Sequence, residues 1–239
     1  MKFYKNEEIE ILAESRLVEL EKILGKPLSP PIPIDTLAEN ILGLDFLWEK
    51  IDELPGEEIL GGLIPKERKI ILNESRRVLF EEKPGLERST KGHEMGHWDL
   101  FFSNIPFDHP TLFDSDMDGV HTFRNSSIGN VAVLKALLSC QEGIEFLAKI
   151  SSRADEADEA RAVNRYAAAI SMPRKMISEE VKKINRTEWK NLYAIAKRYE
   201  VTISALRVRL EQLNLLYVSK NGTLFESKDQ ALGQETFGF

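Results

Sequence analysis

The stretch STKGHEMGHWDLFF, residues 89–102, places histidines at 93 and 97 with a glutamate directly after the first. On a helix, positions i and i+4 lie only about 40° apart around the axis. His93 and His97 therefore project from one face, where their imidazoles can close on a single ion. Zinc favours such nitrogen ligands and, in a catalytic site, keeps one position open for water. Glu94 is displaced by one residue, so it can reach that water rather than the metal. It would accept the water's proton and later deliver it to a leaving amine. Metal ligands and a base for hydrolysis thus fit within five residues, a better account of the pattern than a polar surface patch.

The helix that must hold these groups spans 84–102, with Pro84 near its first turn. Gly92 and Gly96 lie inside it, and each costs about 1 kcal/mol against alanine in a helix interior. Close approach of another chain to that turn would explain both. Leu86, Trp98, Phe101 and Phe102 form an apolar stripe to anchor the helix. Ahead of it the sequence predicts a helix over the first 25 residues, stopped by Gly25, then the extended KPLSPPIPID. Thr36 and Glu39 form a capping box for the short helix TLAENIL. LDFLWE, EILGGLIP and KIILN read as strands. Small strands ahead of the histidine-bearing helix predict an α+β fold.

Two histidines do not complete a zinc site. GHEMGHW, followed downstream by DEARAVNRYAAAISMP, resembles the ImmA/IrrE family of metallo-endopeptidases. The second stretch is similar to that family's Asn-x-aromatic-Ala-Ala-x-x-x-Met-Pro signature, here Asn164, Tyr166, Ala167, Ala168, Met172 and Pro173. The order IPIDTLAENILGLDF, short strands ending in KIILN, and the later LYAIAKRYEVTISALRVRLEQLNLL extends the resemblance over about 30–217. It implies a zincin-like fold and a glutamate as third zinc ligand on the Asn164 helix. It also implies cleavage of helix-turn-helix repressors that control mobile elements or stress genes.

The chain departs from the family where that glutamate usually falls, because Ala160 and Ala162 occupy those positions. Glu159 shares a helix face with Val163, Tyr166 and Ile170 and is the first choice for the third ligand; Glu156, one turn earlier, is the second. The alternative is that DEADEAR is a solvated acidic first turn favoured by the helix dipole. Phe101 replaces a histidine common in relatives.

Residues 104–129 form a loop too long to be idle. DSDMDG, Asp114–Gly119, imitates the start of a calcium loop, but position twelve is Asn125 rather than a bidentate glutamate. One of its aspartates, or His109 or His121, is a rival third ligand. The longer zinc signature is excluded because Ser103 stands six residues beyond His97.

Helices are expected over about 130–150, 154–171, 174–184 and 187–199, with another begun by VTISALRVRLEQLNLL. Asn221-Gly222 signals a hairpin. The net charge of −7 is uneven: residues 1–173 carry −11 and residues 174–220 carry +6. That basic segment resembles a helix-turn-helix, with Arg207 and Arg209 placed as on a recognition helix. A helical pair packed against the catalytic domain accounts for it slightly better, since base-reading side chains are few. The expected organisation is a zincin-like domain over 1–173, a helix-turn-helix-like segment with hairpin over 174–225, and a disordered tail over 226–239.

No apolar run is long enough to span a membrane, and the start turns acidic where a signal peptide needs apolar residues. The lone Cys140 excludes an internal disulfide framework and reads as a small buried hydrophobe. The sequence thus predicts a cytoplasmic zinc endopeptidase acting on a protein substrate, a repressor, with nucleic acid a less favoured partner. The rival is a non-catalytic DNA- or protein-binding regulator that keeps the zincin fold.

Overall fold

The computed structural model describes residues 4–53, 58–104 and 153–237, with side chains over 158–233 in the last segment. Helix α1 spans Asn6–Leu24 and ends on Gly25 at φ +64°, a left-handed position that glycine takes without strain. It buries Ile9, Ala13, Leu17 and Leu20, while Ile11 and Ile23 face outward. Helix α2, Ile34–Leu37, follows Pro33 and widens into a π turn over Ala38–Leu42. Thr36 therefore lies inside the helix and does not cap it. Burial of Ile34 and Leu37, both within the core, sets the earlier start.

All three expected strands form: β1 (Asp45–Glu49), β2 (Gly61–Ile64) and β3 (Lys69–Asn73). The sheet order is β1-β3-β2. β1 pairs parallel with β3, Leu47 opposite Ile71, and β2 pairs antiparallel with it, Gly62 opposite Ile71. After a single 3-10 turn comes α3 (Arg77–Glu82), which the sequence did not signal, and then α4 (Pro84–His97) with Pro84 in its first turn. A β-carbon on Gly61 would come within 2.8 Å of Thr90 Cγ2, so β2 lies directly on α4. The fold is α+β with a small mixed sheet, as expected.

Beyond α4 the helix widens into a π turn over Trp98–Phe102, where Ser103 N–H bonds Trp98 O five residues back at 2.8 Å. Helix α5, Arg153–Ser171, runs antiparallel across α4: Gly92 faces Ala167 and Gly96 faces Val163. Added β-carbons there would lie 3.3 Å from Ala167 Cβ and 3.1 Å from Val163 Cγ1. The close approach anticipated from the two glycines is real. α1, α2, the sheet, α4 and α5 share one apolar core, which includes Leu20, Leu63, Met95, Val163 and Ile170.

A second core begins at Met172 and gathers α6 (Arg174–Val181), α7 (Trp189–Tyr199) and α8 (Ile203–Gln212). Thr202 Oγ1 caps α8 by accepting from Ala205 N–H at 3.1 Å. The hairpin follows as β4 (Tyr217–Val218) and β5 (Leu224–Phe225), with Gly222 at φ +84°. Its loop runs from Ser219 to Thr223, longer than the two residues that Asn221-Gly222 suggested. The expected disordered tail instead contains helix α9, Lys228–Phe237, which buries Ala231.

Arg209 joins the two cores. Its side chain is wholly buried and donates through Nη1 and Nη2 to Glu10 of α1 at 2.6 and 2.9 Å, and through Nε to Met172 O at 3.0 Å. Arg209, which the less favoured recognition-helix reading turns toward a groove, has its guanidinium committed inside the protein. Among the described residues no helix is long and apolar enough to cross a membrane.

Candidate functional site

The antiparallel crossing of α4 and α5 builds the site. Because Gly92 and Gly96 let the helices approach, the side chains beside them on α4 reach polar groups of α5. His93 Nδ1 lies 3.0 Å from Asn164 Oδ1, and His97 Nδ1 lies 3.1 Å from Glu159 Oε1. The two rings meet through their other nitrogens, with Nε2 to Nε2 at 3.1 Å and ring centroids 4.7 Å apart. His97 is buried; Glu159 retains 12% exposure of its side chain.

These contacts fix the chemistry of the rings. An amide oxygen and an ionised carboxylate only accept, so each Nδ1 must donate. With both rings neutral, the form in which histidine binds a metal, each has a single ring proton and both Nε2 atoms turn lone pairs toward one another. Two such lone pairs at 3.1 Å repel, and a cation between them removes the repulsion. Zinc with nitrogen bonds of 2.0–2.1 Å holds tetrahedral ligand atoms about 3.3 Å apart. The donor set and its spacing therefore fit a nitrogen-preferring metal. Burial holds His93 below the usual histidine range, opposed by its bond to Asn164, which keeps the ring neutral and available as a ligand.

Glu94 is buried, and one carboxylate oxygen, Oε2, has no hydrogen-bond partner among the described residues. Desolvation pushes its pKa up to about 8. A nearby cation would oppose that rise. A buried acid with an unsatisfied oxygen is costly as structure alone. It suits a group that exchanges a proton during a reaction.

Glu159 lies on the core-facing side of α5 with Val163, Tyr166 and Ile170, the face on which the sequence placed it. Its Oε1 meets the His97 nitrogen that points away from His93, the position from which a carboxylate orients a metal-binding histidine. The side chain of Glu156, and all of Asp114–Gly119, His109, His121, Asn125 and Cys140, lie outside the described residues. Among the described residues, no group of three histidine, cysteine, aspartate or glutamate side chains is assembled around one point.

Two participants were not assigned from sequence. In the sequence Asn164 stands out only as part of a signature, yet it holds His93. Asp99, turned inward by the π turn, accepts from Arg16 Nε and Nη2 at 3.0 and 2.8 Å and from Tyr166 O–H at 2.8 Å. This network ties α1 and α5 to the end of the histidine helix. The available signal was a lone acid within the otherwise apolar WDLFF.

No family model matches the chain, and no curated protein matches it. The resemblance to the ImmA/IrrE endopeptidases rests on the residues that carry it.

Proposed function

We propose that the protein is a zinc-dependent endopeptidase of zincin-like fold. The observation that carries this reading is the His93–His97 pair, whose Nε2 atoms face each other at 3.1 Å while acceptors occupy both Nδ1 atoms. His93 and His97 would hold the metal, with Glu159 as the acidic side chain of the same site. When bound, zinc supplies Lewis acidity toward a peptide carbonyl and acidifies water. Glu94 does the proton work: its buried carboxylate takes a proton from the attacking water and returns it to the leaving amine. The Asp99–Arg16–Tyr166 network keeps α4 and α5 in register so that both rings stay oriented. From the resemblance, the substrate is a helix-turn-helix repressor, a protein that a cytoplasmic enzyme would meet.

A second reading is a regulator that keeps the fold without turnover. It is favoured by Ala160 and Ala162, which stand where the resembled family usually carries its third-ligand glutamate. Nucleic-acid binding gains less support, since Arg209 is buried and Arg207 lies beside Glu211 at 3.8 Å.

The two readings separate when zinc-loaded full chain and its Glu94→Gln variant are incubated with a panel of helix-turn-helix repressors. The amide keeps the shape but cannot act as the base, so cleavage should fall on the order of 10²-fold or more with zinc retained. Equal cleavage by both proteins would remove Glu94 from the mechanism.

A further inference from the structure

We infer that Asn164 is a positioning residue that decides which nitrogen of His93 faces the metal, acting opposite Glu159 at His97. The inference rests on the reading that the histidine pair holds a metal. It deepens that reading by assigning each half of the pair an acceptor on α5.

Asn164 is solvent-exposed on α5. At an exposed helix position asparagine is a poor choice, roughly 0.7 kcal/mol worse than alanine, because its amide competes for backbone hydrogen bonds. Here the side chain reaches across to α4 instead, with Oδ1 3.0 Å from His93 Nδ1. The amide oxygen accepts, so the His93 proton is drawn to Nδ1 and the lone pair is left on Nε2, the atom 3.1 Å from His97 Nε2. Without that acceptor, His93 is released to carry its proton on Nε2, where it would block a cation.

Glu159 holds His97 in the same tautomer with a charged acceptor. The two rings are therefore matched in proton placement and unmatched in electronics. A carboxylate on Nδ1 makes an imidazole a stronger ligand than an amide does. His97 becomes the stronger donor and His93 the weaker, more readily exchanged one. The arrangement depends on the approach of α5 to α4 at Gly92 and Gly96, which brings both acceptors within reach.

Long-range ¹⁵N NMR of the ring nitrogens in the metal-free full chain at pH 8 reads the tautomers directly. In the parent, His93 should be protonated at Nδ1. In Asn164→Ala, the His93 signals should move toward Nε2 protonation while those of His97 stay put. Competition for zinc against a chromophoric chelator should then show affinity lowered about 10–100-fold, the usual cost of losing an outer-shell partner. Asn164→Asp, which restores an acceptor, should recover the parental tautomer and at least parental affinity. A His93 tautomer unmoved in Asn164→Ala would overturn the inference. A parent that shows the expected tautomers but binds no zinc would instead contradict the metal reading, so the two failures are distinguishable.

Discussion

Gly96 faces Val163 so closely that a β-carbon on the glycine would lie 3.1 Å from Val163 Cγ1 and 3.2 Å from Val163 O. The second contact is with backbone, which cannot swing aside as a side-chain end can. Alanine at 96 would gain about 1 kcal/mol of helix propensity and lose about 1–3 kcal/mol to overpacking. Gly96→Ala should therefore destabilise the protein in urea unfolding. Gly92→Ala, which meets only side-chain and Cα atoms at 3.3 Å or more, should cost less. Equal stability of parent and Gly96→Ala would mean that the helices do not approach as described.

Much of this geometry is legible in the sequence, and the reasons are local. The i, i+4 histidines, the intervening Glu94 and the two glycines follow from helix periodicity, as do the three strands from their β-branched and aromatic content. What escapes is set by pairing between distant segments. Arg209 reads as exposed on its own helix, and only α1 supplies the Glu10 that draws it inside. Asn164 carries no sign of its partner, since His93 lies 71 residues away. Asp99 turns inward through a π turn that no simple periodicity announces. α9 escapes for a different reason: its composition is polar, and its packing through Ala231 is a tertiary effect.

Glu10 and Arg209 give an acid-sensitive joint between the cores. Burial alone would raise the Glu10 pKa, but Arg209, then Arg165 and Arg174, hold it below its ordinary 4.5. A depressed carboxylate contributes stability above its unfolded pKa and loses it as pH falls through the folded value. Glu10→Gln should cost about 3–5 kcal/mol at pH 7, because the buried Arg209 charge is left without its partner. Arg209→Met should cost less, because Glu10 keeps Arg165 at 3.0 Å and Arg174 at 3.8 Å. The gap between parent and Glu10→Gln should narrow steadily below pH 4.5 as the parent's own carboxylate protonates. A gap that stays constant through acid would show that the pairing does not set the stability.

Glu159 touches His97 through Nδ1, so its acceptor oxygen fixes the ring's tautomer while a carboxylate's charge adds a smaller gain in ligand strength. Glutamine offers an acceptor in the same place. Glu159→Gln should therefore hold zinc within a few-fold of the parent, whereas Glu159→Ala should lose about 10–100-fold. Dissociation constants from chelator competition make the comparison. Collapse of affinity in both variants, by several kcal/mol, would instead make Glu159 a direct ligand.

The central claim is that His93 and His97 together hold one metal ion. Metal analysis of the purified full chain after zinc loading and dialysis, beside His93→Ala/His97→Ala, tests it most directly. The account predicts about one zinc per chain in the parent, as expected of a mononuclear site. It predicts almost none in the double variant, with the helical circular dichroism of both proteins alike. Zinc content unchanged by the double substitution, or a parent that retains no zinc, would contradict it.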